Sequence, residues 1–406
     1  MTSAAHRDRP RLSGTNLERA ADHNQRVTLH AIRVSGSLTR VELAAITGLT
    51  APAIANITKR LLQDGLIEEA GRRLGGRGQP PTKLVVRRGA CHSIGVNIDR
   101  DHITIVLVNF AGETLARVSR EMAYALPQDV RALYRQSIKT MLRRAGVSIE
   151  SVVGLGIAMP DDLGKIELPG RPEAYSSWES ANLTDLFAEP FELPIFTEND
   201  AAAAAMGEMQ LGHGQKYSNF FYLLISAGLG GGLVVDGSYV RGSTGRSGEI
   251  GLMRTGSAAR EPLQNLVSLS ALADRLAAQG FARDAVTASN DWPAPLAACV
   301  DRWIEDAADR LTAPLEAVNC LINPAQILLG GRLPMALVDR LAERVNARAQ
   351  ETASLLPAVA PVARAALSDD APAVGAAILP FSHFLLPTPG ALWKVPGTSD
   401  GEPLVA

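Results

Sequence analysis

Apolar residues near the N-terminus recur at helical spacing in three short runs. Between Asn16 and Gly36 the positions Leu17, Ala20, Ala21, Val27, Leu29, Ile32 and Val34 predict a helix broken at Ser35-Gly36. Thr39-Arg40-Val41-Glu42 has the form of a capping box, in which the Thr39 hydroxyl and the Glu42 carboxylate satisfy each other's backbone N–H. Val41, Leu43, Ala44 and Ile46 supply the apolar face of the helix that follows, and Gly48 ends it. Thr50 caps a third helix, which tolerates Pro52 in its first turn and presents Ile54, Ile57, Leu61 and Leu62 as a buried stripe up to about Asp64. Gly65 terminates it. A short apolar start at Leu66-Ile67, a Gly/Arg-rich stretch over 71–81 and a strand at Lys83–Val86 complete the order helix, helix, turn, helix, hairpin. That order predicts a winged helix-turn-helix over residues 16–88, preceded by a disordered arm at 1–15.

Past residue 90 the period changes. Ser93–Asn97, Ile103–Asn109 and Leu115–Ser119 read as strands, 127–146 as an amphipathic helix, and Val152–Ile157 as an apolar strand stopping at Met159-Pro160. A short strand, Pro194–Thr197, enters Glu198-Asn199-Asp200 and an Ala-rich helix, Ala201–Met209. Asn219–Ser226, a glycine loop at Gly228–Gly232, and Leu233–Val235 follow, then helices over 268–320 and a strand at Gln326–Leu329. Alternating strands and helices predict an α/β class. The strand-rich starts of two halves, near 93–119 and 219–241, predict an internal duplication. Residues 386–406 contain Pro387, Pro389 and Pro396 and read as a loose tail.

Composition narrows the function classes. The 406 residues are 46% hydrophobic and 20% charged, a globular balance sufficient for two or three domains. Cys91, Cys299 and Cys320 are too few and too far apart for a disulfide framework, a Cys-rich zinc site or an iron–sulfur cluster, and fit a reducing compartment. The expectation is a cytoplasmic protein without membrane insertion, since neither a leader-like apolar stretch nor a run of about 18 apolar residues occurs. The net charge of −2 conceals an asymmetry: residues 1–90 carry 15 basic and 7 acidic side chains, a net of +8, and the remainder sums to −10. A basic head on an acidic body suits contact with a polyanion at one end only.

Six segments in a fixed order add a likeness: Gly95-Val96-Asn97-Ile98-Asp99-Arg100, Gly154-Leu155-Gly156-Ile157, Glu198-Asn199-Asp200-Ala201, Ser226-Ala227-Gly228-Leu229-Gly230-Gly231-Gly232, Gly248-Glu249-Ile250-Gly251 and Asn323–Gly331. Behind a winged helix-turn-helix, these resemble the ROK family of repressors, open reading frames and kinases across nearly the whole chain. The resemblance implies an actin-like ATPase fold of two α/β lobes around a cleft, here lobe 1 at 89–200 and lobe 2 at 201–385, with the C-terminal helix returning to lobe 1. The family divides into sugar kinases, which lack the head, and sugar-responsive repressors, which carry it.

In the head, the recognition helix is expected over Thr50–Gln63, with its N-terminal part in the major groove. The candidate DNA-contacting residues are Thr50, Ala51, Pro52, Ala53 and Asn56 at bases, with Lys59 and Arg60 at phosphate. Asn56 is suited to a bidentate pair with adenine and the alanines to thymine methyls. Arg77, between Gly76 and Gly78, suits a narrow minor groove. The bland alternatives are a solvated helix face and a flexible loop.

In the body, the resemblance implies that Asn97–Asp101 corresponds to the first phosphate loop of the kinases, Asp-x-Gly-Gly-Thr. Asn97 replaces the metal-handling acid, and Asp99, Arg100 and Asp101 replace the unhindered backbone donors, so phosphoryl transfer is not expected and no catalytic residue is assigned. The effector site implied by the resemblance consists of Asn199, Asp200, Glu249, Gln264 and Trp178; carboxylates and amides accept from paired hydroxyls. Leu252 stands where the family has a His that meets both sugar and zinc, and Met253–Leu263 lacks cysteine, so no zinc or other cofactor is expected. Asp161 replaces a usual Gly. These departures point to a sugar alcohol, cyclitol or derivatised sugar rather than a plain aldohexose. The expectation is a repressor of carbohydrate-uptake or catabolic genes, a homodimer or tetramer on double-stranded operator DNA, released or tightened by a small carbohydrate-like effector. The rivals are an ATP-dependent carbohydrate kinase with a DNA-binding head and a DNA-binding protein whose cleft is only structural.

Overall fold

The computed structural model describes residues 17–72, 81–165, 171–254, 261–288, 291–367 and 369–387. The chain divides into two compact units: Met1–Arg87 with Leu385–Ala406, and Arg88–Phe384.

The first unit contains α1 (Leu17–Ser35), β1 (Leu38–Thr39), α2 (Arg40–Thr47), α3 (Ala51–Gln63), β2 (Ile67–Arg72) and β3 (Thr82–Val86). The capping box forms: the Thr39 N–H donates to Glu42 Oε2 at 2.8 Å and the Glu42 N–H to Thr39 Oγ1 at 3.3 Å. Gly48 ends α2 with φ +67°, a left-handed turn costly for a residue with a Cβ. Thr50 Oγ1 accepts from the Ala53 N–H at the start of α3. Leu29, Ile32, Leu43, Ile54, Leu61 and Leu84 form the core. Several positions depart from the apolar pattern: Val41 and Ile46 of α2 are exposed, Ile57 and Leu62 of α3 are only half-buried, and Thr58 is buried in the stripe instead. The Thr58 hydroxyl donates to the Ile54 carbonyl at 2.8 Å and accepts from Arg40 Nε at 3.0 Å, so its polarity is satisfied. The strands pair in the order β1-β3-β2, all antiparallel, and make the wing. Leu386 is buried, and its carbonyl accepts from Arg26 Nη1 at 3.4 Å, so the chain is packed at the point where the sequence reading placed the start of a loose tail.

The second unit begins with β4 (His92–Ile98), β5 (His102–Asn109), β6 (Thr114–Glu121), α4 (Pro127–Ala145), β7 (Val152–Met159), α5 (Leu183–Phe187) and β8 (Ile195–Asn199). Its other half contains α6 (Asp200–Leu211), β9 (Phe220–Ile225), β10 (Leu229–Val235), β11 (Ser238–Tyr239), α7 (Leu269–Ala278), α8 (Ala285–Ala288), α9 (Ala294–Ile322), β12 (Gln326–Gly331), α10 (Met335–Thr352), β13 (Val362–Arg364) and α11 (Ala371–Phe384). The two sheets run β6-β5-β4-β7-β8 and β11-β10-β9-β12-β13. In each, the first three strands form an antiparallel meander and the last two join parallel to it. This repeated topology is the duplication that the two strand-rich starts foreshadowed. No single helix among the described residues is long and apolar enough to cross a membrane.

Small residues set how closely the layers approach. α11 lies on β4, β7 and α6. A Cβ on Gly156 would fall 1.8 Å from the Ala376 carbonyl oxygen, and one on Gly375 would fall 1.7 Å from that of Ala203. The glycine run expected as a loop is mostly strand: only Ser226–Gly228 turns, and Gly230, Gly231 and Gly232 lie within β10. A Cβ on Gly230 or Gly232 would meet the methyl of Ala201 or Ala205 on α6, at 2.7 and 2.4 Å. The glycines therefore admit the Ala-rich helix to the sheet and bring the N-terminus of α6 against the strand that borders the cleft. Glu208, fully buried in α6, accepts from the N–H groups of His213, Ala366 and Leu367 and ties two loops to that helix.

Gly375→Ala forces a methyl into the Ala203 carbonyl and should cost about 1–3 kcal/mol, read as a lower urea midpoint with an unchanged m-value. An unaltered midpoint would show that the helices have room to separate.

Candidate functional site

On the head, α3 buries Ile54, Thr58 and Leu61 and turns its other side to solvent. Thr50, Ala51, Pro52, Asn56, Lys59 and Arg60 are exposed, and Ala53 is half-buried. Arg77 lies outside the described residues.

In the body, a cleft opens where β4–β5, β7–β8, the start of α6, the β9–β10 turn and the segment 245–252 converge, with a cavity of about 80 Å³. Asn199, Asp200, Glu249 and Gln264 all line it. Asn199 caps α6: its Oδ1 accepts from the N–H groups of Ala201 and Ala202 at 2.9 and 3.2 Å, which holds the side chain in place. Asp200 Oδ1 accepts from Ala201 N–H at 2.8 Å. Burial, and then the charge of Asp99, push the Asp200 carboxyl up to about 7. Burial likewise raises Asp161, with Arg246 opposing. Leu252 lines the cleft and presents an apolar surface there.

Trp178 is not at the cleft. It is 5% exposed within the core of the first half, and its indole N–H donates to the Ala125 carbonyl at 2.8 Å. The segment 173–180 turns the indole inward, where its area is buried and its one polar atom is satisfied.

Sequence reasoning missed Arg246, which the fold places among three carboxylates. It meets Asp162 at 2.7 Å, Glu249 at 3.1 Å and Asp161 at 3.4 Å, and so bridges the β7 end of one lobe to the Glu249 segment of the other. Its place three residues before Glu249 was visible, but its convergence with Asp161 and Asp162 was not.

The turn between β4 and β5 is tied to the other half of the body by buried contacts. Asp99 is 3% exposed; its Oδ1 accepts from the Arg100 N–H at 2.7 Å and its Oδ2 accepts from Ser226 Oγ in the β9–β10 turn. Asp101 pairs with Arg332, just past β12, at 2.9 Å, and Arg332 also meets Glu121. His102 Nδ1 lies 2.7 Å from Asp101 Oδ1. Burial opposes charge on both, but their mutual bond and the nearby Asp99 and Arg332 hold His102 above and Asp101 below their ordinary values. A protonated His102 has two N–H donors. Asn97 Nδ2 sits 3.1 Å from His102 Nε2 while its own buried Oδ1 has no partner among the described residues. Turning that amide by half a revolution pairs Oδ1 with the ring N–H and satisfies both. The ligand atoms of Asp99, Asp101 and His102 lie within 4.8 Å of one another, a metal-like spacing, but the Arg332 guanidinium already supplies a positive charge there.

The raised pKa of Asp200 has a stability consequence. An acid whose folded value exceeds its unfolded one contributes stability that is complete below the unfolded value, near 3.8, and is lost as pH rises through about 7. Asp200→Asn should therefore leave Tm nearly unchanged at pH 4 and raise it by roughly 2–5 °C at pH 8. Equal shifts at both pH values in a thermal-denaturation series would contradict this.

Comparison with known proteins agrees with this architecture. The ROK family pattern matches residues 93–382, and a winged helix-turn-helix DNA-binding pattern matches residues 22–68. An uncharacterized protein of Sinorhizobium fredii, y4fQ, is 29% identical over 361 residues, 88% of this chain and 90% of that one. A xylose repressor of Bacillus spizizenii is 28% identical over 231 residues, 57% of this chain, and the match spans 60% of the repressor's length. Among solved structures, a ROK family transcriptional regulator homologous to the E. coli MLC protein superimposes with a TM-score of 0.65 at 20% identity, over 89% of this chain and 96% of that one. The duplicated two-lobed body and the winged head thus carry one conclusion: the chain belongs to the ROK family and bears an N-terminal winged helix-turn-helix.

Proposed function

We propose that the protein is a DNA-binding transcriptional regulator, a repressor of carbohydrate-uptake or catabolic genes. Its effector is a sugar, sugar alcohol, cyclitol or derivatised sugar held around Asn199, Asp200, Glu249 and Gln264. The observation that carries this reading is that the chain holds both an exposed helix of helix-turn-helix type and a cleft in which hydroxyl acceptors converge, with Asp99 of the β4–β5 turn bonded to Ser226 of the β9–β10 turn. The Asp99 carboxylate occupies the contact with Ser226 that a triphosphate would have to displace, and its charge repels phosphate. The fold is shared with the family's kinases and does not choose between the readings; the head and the altered turn favour the regulator. The matched relative from Bacillus spizizenii is a repressor by name, which agrees with this reading.

One winged helix covers a half-site, so the DNA-bound form is a homodimer or a tetramer of such pairs, on double-stranded operator DNA. Effector binding shifts operator affinity because the two ligands favour different states of the protein. Asn199 and Asp200 hold ring hydroxyls at the start of α6, and Glu249 accepts another once Arg246 yields it.

Fluorescence anisotropy on promoter fragments, beginning with the region beside its own gene, tests the head. Asn56→Ala should cost about 1–3 kcal/mol at a cognate site and relax preference at one base pair. Arg60→Ala should weaken all fragments alike and reduce the salt slope by about 1. Absence of salt-sensitive binding to any fragment would remove the regulator reading. For the cleft, Asp200→Ala should abolish the effect of the effector on operator binding. Robust sugar-dependent ADP release by the wild-type protein would instead make it a kinase.

A further inference from the structure

The chain that follows β11 leaves its own sheet and reaches the opposite lobe. Val240 N–H still bonds back, to the Leu233 carbonyl at 2.8 Å, but none of the N–H groups of 241–249 donates a hydrogen bond among the described residues. Side chains and one packed glycine hold the stretch instead. At one end Arg241 Nη1 lies 2.5 Å from Glu198 Oε2, at the end of β8. The Glu198 side chain is 6% exposed and Arg241 is its one cationic partner among the described residues, so parting them would leave a buried charge unpaired. At the other end Gly248 packs on β10: a Cβ there would fall 2.3 Å from the Gly231 carbonyl oxygen. Ser247 Oγ donates to the Val240 carbonyl and closes the neck between these two ends.

Residues 242–246 form a tip beyond that neck with little to fix it. Gly242 and Gly245 have φ of +71° and +81°, and a Cβ on Gly245 would meet nothing within 4 Å. Glycines of this kind let a short loop turn with little steric resistance. The tip is tied down by Arg246, which meets Asp162 at 2.7 Å and Asp161 at 3.4 Å just past β7, and Glu249 at 3.1 Å beyond the packed glycine. These four side chains are 30–40% exposed, so water and salt compete for their contacts. The two arginines therefore differ in kind: Arg241 anchors, and Arg246 latches. Gly245 and Arg246 line the cleft, and Arg246 Nε occupies Glu249 Oε1 there.

We infer that residues 242–246 are a lid on the effector cleft, hinged at its glycines and latched across the lobes by Arg246. This deepens the reading of the cleft as an effector site and rests on it. A carbohydrate enters when Arg246 lets go of Asp161 and Asp162 and swings away from Glu249. A ring hydroxyl then donates to Glu249, and Arg246 returns to the two aspartates over the bound ligand. Arg246 is thus a positioning residue: it sets how fast ligand enters and leaves without having to touch it.

Two measurements on the full chain test the lid, one of them without ligand. In limited proteolysis, the tryptic cut after Arg246 is followed by mass spectrometry. Asp161→Asn combined with Asp162→Asn removes the opposite half of the latch and should speed that cut about three- to tenfold, the strength of one or two exposed ion pairs, while the cut after Arg241 stays slow. For kinetics the probe is whichever hexose, hexitol or inositol raises Tm most in a thermal-shift panel. Its association and dissociation are followed by surface plasmon resonance on immobilised protein. Arg246→Gln should raise both rate constants about three- to tenfold. Arg246→Lys, which keeps the charge but not the fork, should raise them less. Raising salt from about 50 to about 500 mM should speed both steps in wild type, because the latch is charged and the probe is not, and should leave Arg246→Gln unchanged. A merely structural Arg246 would lower Tm without moving the two rates together. Faster dissociation with unchanged association overturns the lid and makes Arg246 a direct ligand contact. Equal cutting after Arg246 in wild type and in the double aspartate variant, or rates indifferent to Arg246→Gln, overturns the latch and leaves the effector site standing. If no member of the panel binds, the effector reading falls and the role of the lid with it, whatever trypsin reports.

Discussion

Two turns, one from each half of the duplicated body, touch through a buried carboxylate: Asp99 of the β4–β5 turn accepts the hydroxyl proton of Ser226 in the β9–β10 turn. Two residues on, Asp101 is held by Arg332 from behind β12, with His102 and Asn97 completing a buried polar network. A charge taken out of water is tolerable only if it is paired and hydrogen-bonded, and here the pairing partners belong to the opposite lobe. The two halves are therefore joined at this point by protein groups. The rest of the cleft inherits its geometry from that junction: the guanidinium of Arg100, the bridging Arg246 and the acids at the start of α6 all open into the space it leaves.

The chemistry of the cleft follows from how charge is distributed within it. Arg246 is surrounded by carboxylates from both lobes, so any ligand that reaches Glu249 does so in exchange for that contact. Asp200 sits at a helix start that would favour its ionised form, but burial and the proximity of Asp99 prevail. A carboxyl near neutrality both donates and accepts, which suits hydroxyls better than a fixed charge does. A regulator gains from such a site, because a ligand is recognised by many modest contacts that reorganise rather than by a preformed reactive centre.

Much of the architecture was legible in the order of residues. The capping box at Thr39–Glu42, the cap at Thr50 and the stripe of Ile54 and Leu61 act within a few residues, so a linear reading suffices for the head. The strand-rich starts of the two halves were visible for the same reason, and Asn199, Asp200 and Glu249, which line the cleft together with Gln264, sit in compact motifs. The helix α10 and strand β13 went unread, although α10 has a clear apolar face. Thr58 was missed because its burial depends on Arg40, eighteen residues away.

What the sequence by itself determined is therefore local: caps, periods and turns, each governed by interactions over one or two helical turns. The tertiary structure alone decided which distant groups share one space. It turned the indole of Trp178 inward, because its N–H found the Ala125 carbonyl and its rings a buried apolar setting. It drew the glycine run into β10, because the alanines of α6 leave no room for a Cβ. It brought Asp99 to Ser226, Asp101 to Arg332 and Asp161 to Arg246 across gaps of 85 to 231 residues, since charge pairing depends on distance in space and carries no mark along the chain.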